Sequence, residues 1–160
     1  MQTYTVTQKI ISIGATYQIR SGESKDVLMT VKGKILTFTP KLEMKKGTEG
    51  EIINRLKGNF TKTKFSMEDM NANEIANIQF PYIAFKKRFS LTIGDKTYNA
   101  QGSFTAWHFN CTDDTGKEVF SISKDFSFRD KFTVNIDESM PKEIILLTAI
   151  AVDQKFFQQK

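Results

Sequence analysis

Nucleophilic and acid–base catalysis both need convergent polar groups, most often a histidine held by a second residue. This chain has a single histidine, His108. In the stretch FTAWHFNC, His108 falls on the opposite parity from Trp107 and Phe109, so a strand here turns the imidazole outward. Cys111 shares the apolar parity, which predicts a small buried filler and not a reactive thiol. Asp113-Asp114-Thr115-Gly116 gathers carboxylates, but it lacks the alternating oxygen ligands and distant Glu of a calcium loop and reads as a hairpin turn. No glycine-rich phosphate loop is present. The expectation is a chain that is not an enzyme, with no metal and no cofactor.

The cations carry more information. Of the 160 residues, 23 are Lys or Arg and 18 are Asp or Glu, a formal net charge of +5. Residues 30–64 alone hold nine Lys or Arg against three Glu. Lys62 and Lys64 share one parity, hence one strand face, and Lys86 and Arg88 share the parity opposite Phe89, Leu91 and Ile93. Lys32, Lys34, Lys45 and Lys46 fall in or near turns. Such a surface suits anionic lipid headgroups, each nearby cation contributing on the order of 1 kcal/mol at a charged leaflet. It equally suits the solvated outer face of a sheet. With nineteen Lys and four Arg, the chain has few of the bidentate forks that mark specific phosphate recognition. Nucleic acid is an unfavoured partner, because the aromatic residues mostly follow the apolar parity of their strands and leave no stacking platform.

The elements that must carry these groups are legible. In KEIILLTAIAVDQKFF, residues 142–157, the run from Ile144 to Val152 is apolar on every side of a helix apart from Thr148 and is closed by Asp153, which predicts a helix buried all round. Ile144, Leu147, Ile150 and Val152 are its expected core residues. Pro141 suits the first helical turn, with Asp137, Glu138 and Ser139 available as caps. Asp153 ends the run, either at a mouth in water or buried against backbone donors, and a structural role is expected for it. A span of the hydrocarbon takes about 20 apolar residues. Here the run from Ile144 to Val152 stops at Asp153, between Lys142 and Lys155.

Elsewhere apolar residues alternate, as in Val27, Met29, Val31; Phe65, Met67; Phe89, Leu91, Ile93; and Phe132, Val134, Ile136. With the intervening Gly, Asp and Asn turn signals this predicts roughly a dozen short antiparallel strands. A weak internal repeat aligns Gly50 with Gly116, Ile53 with Val119, Leu56 with Ile122 and Phe60 with Phe126. After a one-residue slip it pairs Phe65 with Phe132 and Met67 with Val134. Two such halves and one dry helix are satisfied together if the sheets close into a barrel and the helix fills it. The whole chain, 1–160, then forms one mainly β domain. One cysteine and the absence of a basic-then-apolar leader in MQTYTVTQKI give the cytoplasm as the expected compartment.

The VKGK near the front, the repeated Gly-x-x-apolar hairpin and the closing FTVNIDESMPKEIILLTAIAVDQKFF resemble the LURP-one-related proteins, from about Thr5 to Phe157. These share a superfamily with the phospholipid scramblases and the C-terminal domain of tubby proteins. The resemblance implies a twelve-stranded barrel around a central C-terminal helix. It also brings the expectation of phosphoinositide binding through a basic exterior, as in tubby domains. Two features depart from the relatives. KDFSFRDKF has Lys124 and Phe126 where the scramblase calcium segment has aspartates, and the scramblases' acylated cysteines and proline-rich leader have no counterpart. Together these readings give a binding or scaffold domain, its partner an anionic membrane surface, a phosphoinositide or another protein, peripheral to the inner membrane surface. The competing expectation is a scramblase-like lipid-handling protein.

Overall fold

The computed structural model describes residues 1–11, 14–33, 38–82, 87–103, 108–124 and 130–157. Lys34, Lys86, Trp107 and Phe126, singled out above, lie outside them. Among the described residues twelve strands follow one another: β1 (Gln2–Ile11), β2 (Gly14–Ser21), β3 (Val27–Gly33), β4 (Lys41–Lys46), β5 (Ile52–Gly58), β6 (Lys64–Glu68), β7 (Glu74–Gln79), β8 (Arg88–Ile93), β9 (Lys96–Gly102), β10 (His108–Thr112), β11 (Glu118–Lys124) and β12 (Lys131–Ile136). Each pairs antiparallel with its sequence neighbour, and β1 closes on β12 in the register Gln2↔Ile136 to Thr7↔Lys131. Closure leaves no unpaired edge.

The alternation selects the inner face. Leu56 on β5 and Ile122 on β11 are fully buried, as are Met67 on β6 and Val134 on β12, and Phe65 and Phe132 also point into the core. These strands hold the same place in the first and second set of six, so the repeat seen in the sequence is a repeat of barrel geometry. Phe60 is exposed, in the β5–β6 turn, and its expected counterpart Phe126 lies outside the described residues. Strand interiors are thus apolar, while Lys57, Lys64, Glu74, Arg88 and Glu118 lie on the outside. A barrel wall bathed in lipid has the opposite arrangement, apolar outward.

The helix α1 (Lys142–Val152) fills the lumen. Ile144, Leu147, Ile150 and Val152 are buried as expected, and the buried Thr148 hydroxyl donates to Ile144 O at 2.8 Å, which satisfies it within the helix. The helix start differs from expectation. Pro141 is the extended N-cap residue (φ −71°, ψ 112°), with no side-chain cap. Asp137 is already engaged, accepting from the Ser139 N–H and hydroxyl, so its carboxylate holds the preceding turn and not the helix. The first ladder bond runs from Ile145 N to Pro141 O. After Val152 the coil widens into a π-helical turn, Asp153–Phe157.

Because every connection is a hairpin, the barrel has two distinct ends. The β2–β3, β4–β5, β6–β7, β8–β9 and β10–β11 turns surround the start of α1. The odd-to-even connections, such as β3–β4, β5–β6 and β7–β8, surround its end. Here glycines make room: a Cβ at Gly58 would stand 2.7 Å from the Phe65 ring, and one at Gly102 2.8 Å from the Phe109 ring. Both aromatic rings are therefore free to lie over the strand beside them, under the π-helical turn.

Candidate functional site

The end of α1 is sealed by its own aromatics. Phe156 stacks on Phe109 (centroids 5.4 Å apart, planes at 17°) and meets Phe80 edge-on at 5.4 Å. Phe157 lies 6.2 Å from Phe132 and 6.3 Å from Phe109. Cations cover them: Lys87 Nζ sits 5.0 Å from the centroid of Phe156, and Lys124 Nζ 5.0 Å from that of Phe157, close enough for cation–π attraction.

Beneath this layer Asp153 is 1% exposed. Tyr17 Oη donates to its Oδ2 at 2.7 Å, Gln154 Nε2 donates to Tyr17 Oη at 2.8 Å, and Lys124 Nζ lies 3.8 Å from Asp153 Oδ1. Asp153 is therefore buried and not at a wet mouth. Its partners here are side chains from β2 and β11, 136 residues and 29 residues away in sequence. A carboxylate held in this way ties the end of the helix to two strands of the barrel. Lys124, at the position where scramblases carry an aspartate, is the cation of that tie.

The β5–β6 turn is bolted to the same helix end. Lys62 Nζ donates to Gln154 O at 3.3 Å and Lys155 Nζ donates to Thr61 O at 3.4 Å, so each segment's lysine satisfies the other's carbonyl. Amines near the last carbonyls also oppose the negative end of the helix dipole. Burial, and then the neighbouring Lys62 charge, push the Lys155 amine below the usual lysine range.

This relocates one expected cation. Lys62 has φ +55° and lies in the turn, not on the β6 face with Lys64, because two extra residues of tight turn precede the strand. Lys64 and Arg88 do lie on the outer face, at the first positions of β6 and β8. They are two strands apart, and because Gln79 of β7 pairs with Lys64 on one side and Ser90 on the other, Arg88 stands two residues further along its strand. Both are exposed, and neither forms an ion pair among the described residues.

Their surroundings are strongly one-signed. In the odd-to-even connections, the adjoining two residues of each strand and the π-helical turn, the cations are Lys32, Lys41, Lys57, Lys64, Arg88, Lys124 and Lys131 on strand ends, with Lys62, Lys87 and Lys155 between them. Against these ten stand, among the described residues, two carboxylates, Asp130 and the buried Asp153. The opposite end, bounded the same way, reverses the balance. Its carboxylates run turn by turn: Glu23 and Asp26; Glu49 and Glu51; Glu68, Asp69 and Glu74; Asp95; Asp113, Asp114 and Glu118; Asp137, Glu138 and Glu143. Only Arg20, Lys25, Lys45, Lys46, Lys96, Lys117 and Lys142 oppose them. Glu43 and Arg55 pair with each other at the waist, 3.2 Å apart. Linear counting found the excess of cations in residues 30–64; it could not find this polarity, which arises because antiparallel strands return distant segments to the same end.

The residues with chemical potential elsewhere are spent. Asp113 caps its own turn, accepting from Thr115 N and Lys117 N at 2.9 and 3.0 Å, as a hairpin and not a metal loop requires. Among the described residues no group of three or more His, Cys, Asp or Glu could hold a metal ion. Cys111 is buried, which pushes its thiol up to about 12. His108 faces outward, as expected, between the Ser123 hydroxyl at Nδ1 and Asn110 Oδ1 at Nε2, 2.8 Å away. That trio has the makings of a base-activated hydroxyl. However, β10 and β11 are each paired on both sides, so their N–H groups serve the ladder and none converges to stabilise an oxyanion.

The chain that folds into this filled twelve-stranded barrel with its closing helix matches the LURP-one-related family over residues 2–153. The chain belongs to that family, which is compatible with a non-enzymatic binding domain. No curated protein matches it significantly. No helix among the described residues is long and apolar enough to cross a membrane.

Proposed function

We propose that this protein is a non-enzymatic docking domain that sits end-on on an anionic phospholipid surface, through the end of the barrel where α1 finishes. The observation that carries this reading is the polarity of charge among the described residues, ten cations against two carboxylates at that end and seven against fourteen at the other. A molecule so polarised turns in the field of a charged leaflet before it touches it, and it is repelled when it arrives the wrong way round. The cytoplasmic leaflet carries the anionic lipids of a cell, so the inner membrane surface is the site of action. Lys64 and Arg88 make the headgroup contacts; Lys62 supports them by holding the β5–β6 turn.

Flotation with vesicles of phosphatidylcholine alone, with phosphatidylserine added, and with a phosphoinositide added tests the proposal. Binding is expected only with the anionic vesicles, strongest at low salt and weakening as the ionic strength passes about 0.1 M, where the screening length falls to about 10 Å. Equal flotation with neutral vesicles, or none with any, contradicts it. Selective flotation with phosphoinositide identifies a specific headgroup site within the same surface.

A further inference from the structure

Three aromatic side chains stand almost wholly in water at the basic end: Phe38 is 92% exposed, Phe60 75% and Tyr82 81%. They belong to three consecutive connections, β3–β4, β5–β6 and β7–β8. Neighbouring hairpins on a barrel rim are two strand spacings apart, about 10 Å, so the three rings form an arc of about 20 Å along one side. Among the described residues the other large exposed hydrophobic side chains, Met1, Leu28 and Met70, are aliphatic and sit at the acidic end. Single exposed apolar residues are ordinary. Three aromatics on one arc, with Lys41, Lys57, Lys64, Lys87 and Arg88 interleaved and no acidic residue in the described parts of these connections, are a pattern.

The Phe60 turn is also built to hold its ring outward. Asn59 Oδ1 accepts from Thr63 N and Lys64 N at 2.9 and 3.1 Å, Lys62 takes the left-handed conformation, and the crossed Lys62–Gln154 and Lys155–Thr61 bonds tie the turn to the helix end. The barrel interior beneath is already filled by Phe65, Phe80, Phe109 and Phe156. A ring held outside a filled core, on a turn whose ordering cost is already met, is preorganised for contact with something beyond the surface.

We infer that Phe38, Phe60 and Tyr82 are a wedge that enters the headgroup–acyl boundary of an anionic bilayer, while the cations between them hold the phosphates. Tyr82 suits that boundary because its ring leaves water while its hydroxyl stays hydrated, and the Phe38 and Phe60 rings gain by leaving water. The two contributions separate by salt: screening weakens the cations and leaves ring burial in place. This inference rests on the docking reading above and adds to it the depth and sidedness of contact.

The test places a nitroxide on the full chain at Phe60→Cys and, in a second protein, at Asp114→Cys on the acidic end; Cys111 is buried and stays unlabelled in the folded protein. Vesicles of phosphatidylcholine with about one third phosphatidylserine are the probe, at a charge density chosen to engage several cations. On floated protein the position-60 label is expected to become accessible to oxygen and shielded from a water-soluble nickel chelate, while the position-114 label stays aqueous. The triple variant Phe38→Ser, Phe60→Ser, Tyr82→Ser is expected to bind at least about tenfold more weakly with an unchanged salt slope, tenfold being 1.4 kcal/mol. Protein that floats with the position-60 label still aqueous overturns the wedge and leaves the docking reading standing. Protein that does not float overturns both. Immobilisation of the position-60 label without vesicles marks contact between copies of the chain and also overturns the wedge.

Discussion

Tyr17 Oη and Asp153 Oδ2 are 2.7 Å apart, joining the second strand of the barrel to the last residues of the chain. The bond fixes the depth and rotation of the central helix, since α1 is otherwise apolar on every side and carries few groups that distinguish one seating from another. Buried polar partners of this kind set register more than they add stability.

If so, Asp153→Ala leaves the Lys124 ammonium buried without its carboxylate and lowers stability by about 3–5 kcal/mol, measured by urea unfolding. Tyr17→Phe removes the hydrogen bond to that charged group, about 1.5–3 kcal/mol, together with the one Gln154 Nε2 donates to the hydroxyl. The double variant loses less than the sum of the two. Strict additivity rules out coupling between them.

The helix itself dominates the core. Leu147 is fully buried, so Leu147→Ala is expected to cost about 2–5 kcal/mol through lost transfer energy and the cavity left behind. Leu147→Asp or truncation before Pro141 is expected to abolish folding. A truncated chain that melts cooperatively is incompatible with a helix-filled barrel.

Cys111 supplies a probe of the same interior. Burial raises its thiol from 9.0 to about 12. The folded protein should resist a thiol reagent at pH 8 and react promptly once unfolded in urea. The unfolded chain releases this proton first as pH rises, so the native state is the one that binds more protons between the two values. The thiol therefore makes stability fall with rising pH from about 9 towards about 12. Cys111→Ser should flatten that decline.

At the acid side the turns of the opposite end matter. The Asn73 backbone N–H holds Asp69 below its usual range, the Thr115 hydroxyl does so for Asp113, and the Ser139 hydroxyl for Asp137. Each value is depressed in the folded state, so its contribution is whole above the unfolded value of 3.8 and is lost as pH falls from there through the folded value. Asp113→Asn should give a shallower loss of stability below about pH 4 than the parent chain, followed by circular dichroism across an acid titration. An unchanged acid limb contradicts the assignment.

The architecture was readable because its two signals are local. Alternation in β8 (Phe89, Leu91) and unbroken apolarity from Ile144 to Val152 need no knowledge of the rest of the chain. What was not readable depends on who arrives next to whom. Asp153 could be recognised as out of place, but not its partners on β2 and β11. Lys62 was read as a strand residue because parity counting continues through a tight turn that the backbone does not. The alignment of Phe60 with Phe126 did not say on which side of the wall the Phe60 ring lies; the Gly58-Asn59 turn signal just before it was the available clue that it lies outside. The polarity of charge is likewise a property of closure and not of any segment.

The docking proposal is tested most directly by moving the same charge at opposite ends. Lys64→Glu with Arg88→Glu changes the net charge by as much as Lys45→Glu with Lys46→Glu, but the first pair lies at the end where α1 finishes and the second at the end where it starts. With folding checked by thermal melting, flotation on phosphatidylserine vesicles should be strongly reduced by the first pair and kept by the second. Equal loss from both pairs would mean that net charge alone governs binding, and no loss from the first would mean that this end is not the docking surface.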